Sequence, residues 1–194
     1  EEETEINGVG PKIEEADIEA LYAKLDALKA GDVLVIAGSV PSMLPSDMYE
    51  RIMERLSGRG IEIVVDAERD LLVKVLQYHP FLIKPNNHEL GAIFGVELEK
   101  RPDVVPYARK LQEMGARNVL ISMAGEGAVL VPEKGDVVES AAPKGTVVNS
   151  VGAGDSMVAG FIAGYEESKG DYATAFRMGV CTGSASAFSP KLAT

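Results

Sequence analysis

The segment Asn149-Ser150-Val151-Gly152-Ala153-Gly154-Asp155-Ser156-Met157-Val158-Ala159-Gly160-Phe161 runs a glycine-rich turn straight into an amphipathic helical pattern, whose apolar face is Val158, Phe161, Ile162 and Tyr165. Gly152 and Gly154 let the backbone aim its amides at one point, and a helix start adds roughly half a positive charge there. Together they make a turn suited to a phosphoryl group. Asp155 is then a carboxylate placed beside an anion site. Two roles fit it. In the first turn of a helix a carboxylate is stabilised by the dipole and acts as an N-terminal cap. Beside bound phosphate it can accept the proton of an attacking hydroxyl while the amides hold the transferred charge. Spacing by itself leaves both open.

Other nucleotide sites do not match this turn. Met157 stands where the dinucleotide fingerprint needs its third glycine, and Gly160 comes too late. A P-loop needs a Gly-Lys-Ser/Thr ending, which the sequence lacks. Gly160 and Gly164 have a packing use instead: with Ala175, Gly179 and Gly183 they form two stripes of small residues that let the last two helices approach closely.

A second group of polar residues is Lys84-Pro85-Asn86-Asn87-His88-Glu89. Asn86 and Glu89 are three apart and share a face if a helix begins there. Oxygen ligands so placed suit Mg²⁺, which keeps several waters and takes one or two protein carboxylates beside substrate phosphates. Lys84 adds a compact positive charge for those phosphates. The same spacing also describes an asparagine cap followed by a surface glutamate. His79 and His88 have no second ligand at metal spacing and are read as structural, and Cys181, in a stretch of small and apolar residues, is read as a packed thiol. Two loops complete the set. Ser122-Met123-Ala124-Gly125-Glu126-Gly127-Ala128 allows close backbone approach to a ligand, and Gly38-Ser39-Val40-Pro41 offers a hydroxyl at a turn.

These groups need a scaffold that brings distant loops together. Short apolar runs at residues 33–36, 61–65, 81–83 and 118–122 alternate with helical periods, at about 18–28, 46–56, 70–77, 89–94 and 104–114. Ser46 is the expected N-cap of the second helix. Residues 128–131 and 136–139 form a late β-hairpin, and two helices follow at about 153–168 and 172–187. The pattern is an α/β fold, a mostly parallel sheet with helices on both faces in three layers. Such sheets bind ligands at the carboxyl ends of their strands, where each group above falls. The four apolar runs are expected to be buried on both faces.

Composition sets the class. The chain has 194 residues, 30 acidic against 19 basic, and a net charge of −11, so nucleic acid and anionic membranes are not expected partners. No apolar run approaches the roughly 20 residues that cross a bilayer, and a cytoplasmic location is expected.

Taken in order, Gly38-Ser39-Val40-Pro41, Lys84-Pro85-Asn86-Asn87-His88-Glu89-Leu90, Ser122-Met123-x-Gly125 and the 149–161 segment resemble the ribokinase-like, phosphofructokinase B family of carbohydrate kinases, in its branch acting on ketohexose phosphates. The resemblance implies a ribokinase-like fold and ATP-dependent phosphorylation of fructose 1-phosphate, with tagatose 6-phosphate as the alternative acceptor. It implies Asp155 as catalytic base and sugar contact, and Gly152, Ala153 and Gly154 as anion hole. ATP contacts fall on Lys84, Asn86 and the loop Ser122, Met123, Ala124, Gly125, Glu126, Gly127 and Ala128. Ser39 falls on the sugar phosphate, and Asn86 and Glu89 organise Mg²⁺. A homodimer is the assembly it allows for the complete enzyme. Ala124 replaces a common glycine and Val40 a common leucine. By the same likeness residues 1–13 resemble the chain returning from a small β lid and residues 14–194 the nucleotide-binding and catalytic core. The sequence is therefore expected to be a piece of a longer kinase, binding ATP but inactive by itself, with one sheet edge open.

Overall fold

The computed structural model describes Gly10, residues 12–67 and residues 69–191; the expected returning segment, residues 1–13, lies outside this range except at residues 10, 12 and 13. In chain order the elements are α1 (Glu15–Asp26), β1 (Val33–Ala37), α2 (Met48–Leu56), β2 (Glu62–Asp66), α3 (Arg69–Val75), β3 (Leu82–Ile83), α4 (Asn87–Phe94), α5 (Arg101–Glu113), β4 (Asn118–Ser122), β5 (Ala128–Val131), β6 (Val138–Ser140), α6 (Ala153–Glu167) and α7 (Tyr172–Ala187). The strands lie side by side in sequence order. β1 to β4 are parallel, and β5 and β6 add antiparallel neighbours, so the late hairpin is continuous with the sheet.

Alternation along the strands divides the interior into two halves. Ile63, Val65, Ile83, Val119, Ile121 and Val129 point to the side covered by α1 to α5, where Met53, Leu72, Leu90 and Leu111 meet them. Val64, Leu82, Leu120 and Leu130 point to the opposite side and pack against Val158, Phe161, Phe176 and Val180 of α6 and α7. The three-layer arrangement read from the sequence is present.

Three expectations change. β1 is not buried on both faces: it is an edge strand, and Val35 is 44% exposed because β1 has one strand neighbour and Val35 lies outside the apolar cluster under α6 and α7. The cap of α2 is Asp47 rather than Ser46, and its carboxylate pairs with Arg51 at 2.9 Å instead of capping the backbone. Cys181 is exposed rather than packed. The buried positions of α7 are Ala175, Phe176, Gly179, Val180, Gly183 and Ser186, and Cys181 falls just off that stripe.

The small-residue stripes do join α6 to α7. A Cβ on Gly160 would stand 2.0 Å from Thr182 Oγ1 and 2.9 Å from the Met178 carbonyl, and one on Gly164 would stand 2.9 Å from Ala175 Cα. Thr182 Oγ1 donates across this seam to the Ser156 carbonyl of the facing helix at 2.7 Å. Gly160→Ala gains helix propensity, but the overpacking outweighs it. The expected net loss is about 1–3 kcal/mol, read as a lower urea midpoint at unchanged m value.

The amino ends of the parallel strands carry a separate polar cluster. Arg117 donates from Nε to Glu133 Oε2 at 2.7 Å and from Nη1 to Glu62, and its guanidinium lies over the Phe81 ring. Tyr172 donates to Glu133 at 2.9 Å. Buried Asn118 is satisfied on both sides, donating to the Phe81 carbonyl and accepting from the Glu133 amide. His79, in the left-handed conformation at φ 55°, places Nδ1 3.0 Å from the Gly115 carbonyl, in keeping with a structural role.

Candidate active site

At the carboxyl ends, β2 and β3 stop in register. Val64 pairs with Leu82 and Val65 with Ile83, so the next two residues, Asp66 and Lys84, are lateral neighbours. Each is two positions beyond a side chain that faces α6 and α7, and therefore faces the same way. Asp66 Oδ2 lies 3.2 Å from Lys84 Nζ, with the two side chains 18% and 8% exposed. Burial pushes the Asp66 carboxyl above its ordinary value; Lys84 opposes the shift, and the charges of Glu89 and Asp155 add to it.

The turn before α6 sits on this pair. Gly152 is the N-cap residue, in the left-handed region at φ 78°. A Cβ at Gly154 would stand 3.0 Å from Lys84 Nζ, so the glycine admits the ammonium directly beneath the turn. The Ala153 amide donates to the Ser150 carbonyl at 3.1 Å, an acceptor that an incoming phosphoryl oxygen would have to replace. Asp155, in the first turn of α6, is exposed. It lines a cleft of about 100 Å³ together with Asp66, Val35, Ala37, Val158, Ala159 and Ile162.

The loop after β3 brings Asn86 and Glu89 into a capping box. Asn86 Oδ1 accepts from the Glu89 amide and Glu89 Oε2 from the Asn86 amide, both at 2.8 Å. A carboxylate has a second oxygen, and Mg²⁺ held mainly by water and phosphates asks for little more, so capping and metal organisation are compatible. Among the described residues no group of three or more His, Cys, Asp or Glu side chains is arranged to hold a metal ion. His88, between them, is exposed.

Asn86 also bridges to Ser122 as a parallel β contact, and the Ser122 amide donates to the Pro85 carbonyl at 3.3 Å, so the loops after β3 and β4 are contiguous. Residues 124–126 form a 3-10 turn closed by the Met123 amide on the Gly127 carbonyl at 2.8 Å. Ala124 takes φ 45°, a left-handed conformation that favours glycine. Gly127 has φ 98°, and a Cβ there would stand 2.0 Å from the Ser140 carbonyl. Met123 is buried, Ala128 begins β5, and Glu126 pairs with Lys100 at 3.2 Å. Gly125 has open space where a Cβ would be. Ser39 is exposed beyond β1, next to Gly38, whose amide donates to the Asp66 carbonyl at 3.1 Å.

The Lys84 ammonium thus lies against the turn at Gly154, with Asp155 the next residue in the chain; Asn86, Glu89 and residues 122–128 lie on the β3 and β4 side, and Ser39 lies beyond β1 on the other. Asp66 was not among the residues singled out in the sequence. Its one signal there is position: a carboxylate closing an apolar strand, at the strand end where ligands bind.

A glycine turn over a buried ammonium, followed at once by an exposed carboxylate, thus lies at the carboxyl ends of the parallel strands of a ribokinase-like fold. The model of the pfkB family carbohydrate kinases matches residues 1–194, and the chain belongs to that family. It is 47% identical over 193 residues to 1-phosphofructokinase of Bacillus subtilis, covering 100% of this chain and 63% of the relative. To D-tagatose-1-phosphate kinase of Bacillus licheniformis it is 35% identical, covering 98% of this chain and 62% of the relative. The crystal structure of a Staphylococcus aureus protein described as a phosphofructokinase superposes with a TM-score of 0.89 at 40% identity, over 100% of this chain and 62% of that one. The chain therefore spans a little over three-fifths of the length of these relatives. Among the described residues no helix is long and apolar enough to cross a membrane.

Proposed function

We propose that the chain carries the catalytic and nucleotide-binding part of a cytoplasmic kinase that transfers the γ-phosphoryl group of ATP to the free primary hydroxyl of a ketohexose 1-phosphate, fructose 1-phosphate giving fructose 1,6-bisphosphate. The observation that carries this reading is the convergence of Asp155 with a turn that admits the buried Lys84 ammonium at Gly154. In the reaction the sugar oxygen bonds to the γ-phosphorus, the bond to the β-bridging oxygen breaks, and Asp155 takes the hydroxyl proton. The turn at residues 152–154 and Lys84 hold the negative charge on the phosphoryl oxygens. Residues 122–128 line the nucleotide, and Ser39 contacts the sugar phosphate. Mg²⁺, when bound, neutralises charge on the phosphates, with Glu89 and Asn86 holding its waters.

The D-tagatose-1-phosphate kinase relative favours a second acceptor, tagatose 1-phosphate, which differs from fructose 1-phosphate in the configuration of one hydroxyl. Tagatose 6-phosphate stands beside it as the other alternative acceptor.

The test measures ADP release by the native enzyme with each sugar phosphate across a Mg²⁺ series, beside Glu89→Gln. Fructose 1-phosphate is expected to give the higher kcat/KM. Glu89→Gln is expected to need more Mg²⁺ for half-maximal rate, since it loses charge and keeps shape. No ADP release with either sugar would refute the assignment, and an unchanged Mg²⁺ titration would remove Glu89 from the metal's surroundings.

A further inference from the structure

We propose that Asp66 is a positioning residue of the phosphoryl-transfer site: its carboxylate fixes the Lys84 ammonium beneath the turn at residues 152–154, where the charge of the transferred group collects. The inference rests on the kinase reading above and extends it to a residue outside the set that the resemblance implies.

Geometry supplies the first argument. The β2–β3 register leaves Asp66 and Lys84 side by side at the ends of their strands, and both project toward α6. Their contact of 3.2 Å is therefore fixed by backbone pairing rather than by a chance meeting of flexible chains. Lysine has a long, mobile stem and a strongly hydrated head, and burying that head requires an acceptor. The Lys84 side chain is 8% exposed, and Asp66 is its ion-pair partner.

A division of labour among carboxylates supplies the second. Asp66, Glu89 and Asp155 all act electrostatically on this end of the sheet, but they are differently engaged. Glu89 closes the capping box with Asn86, and Asp155 faces the cleft. A base must keep its lone pairs for the substrate proton. Were Lys84 to pair with Asp155 instead, the ammonium would hold the base and leave the turn. Asp66 prevents that exchange by occupying Lys84 from the β2 side. An ammonium has three donors, so Lys84 can keep Asp66 and still reach a phosphoryl oxygen.

The test is a double-mutant cycle in the native enzyme with Asp66→Asn, Lys84→Met and the pair, read as kcat and KM with ATP and fructose 1-phosphate, with Asp66→Glu as the conservative variant. Misplacing a reacting group by about 1 Å can cost on the order of 10²-fold, so Asp66→Asn is expected to lower kcat by about 10- to 100-fold. KM for fructose 1-phosphate is expected to stay within about threefold, since no sugar contact is lost. Asp66→Glu should recover part of the rate, and Asp66→Asn should have no further effect once Lys84 is methionine. A kcat for Asp66→Asn within twofold of the parent, or full additivity in the cycle, overturns the proposal while the parent's turnover upholds the kinase reading. A folded parent that phosphorylates no ketohexose phosphate overturns both.

Discussion

Asp155→Asn lowers turnover by about 10²- to 10⁴-fold, the usual worth of a positioned base, and leaves ATP binding near that of the parent. The side chain keeps its size and its place in the first turn of α6 but can no longer take a proton. A carboxylate serving only to stabilise the helix start would behave otherwise. Its loss would lower stability by about 0.3–1 kcal/mol through the dipole and leave the rate per folded molecule unchanged. Steady-state kinetics and a nucleotide titration on one preparation separate the outcomes. Turnover within a factor of two of the parent would return Asp155 to the capping role.

The largest stability effect belongs to Phe161→Ala, at about 3–5 kcal/mol. Phe161 is fully buried, just over two turns into the helix that begins at the glycine turn, and it packs into the cluster formed with Leu82, Leu120 and Phe176. Its ring lies parallel to that of Tyr165, with centroids 6.4 Å apart. Truncation opens a cavity where the close contacts of Gly160 and Gly179 leave the two helices little room to collapse inward. Urea unfolding gives the measure; a loss below about 1 kcal/mol would mean that the α6–α7 pair repacks freely.

How far the sequence disclosed this arrangement depends on whether a feature is local. The apolar runs of β2, β3 and β4 and the helical periods between them are local, and they place the candidate residues at strand ends before any coordinate is known. The Asn86 to Glu89 spacing is also local, and the capping box follows from it. The exposure of Val35 is not, because Val33-Leu34-Val35-Ile36 reads like the other runs, and its neighbours decide what is covered. Cys181 turned on a single helical position, finer than composition resolves. Asp66 carried one weak local sign, a carboxylate closing an apolar strand. Its meaning arises when strand pairing sets it opposite Lys84, two residues separated by a complete helical crossover.

The sheet is chemically polarised. Its amino ends carry Arg117 locked between Glu62 and Glu133, with Tyr172 and Asn118 completing the bonds, while its carboxyl ends carry Lys84, Asp66, Asp155 and the glycine turn. A short stack of apolar side chains insulates one set from the other. Sequence change at the Arg117 end can therefore harden or soften the scaffold without being felt in the transfer step, and change at the Lys84 end can alter the chemistry without removing the clasp that holds the strands together. On the kinase reading, the Arg117 end answers to stability and the Lys84 end to the chemistry, and the two are separated by the apolar layers between them.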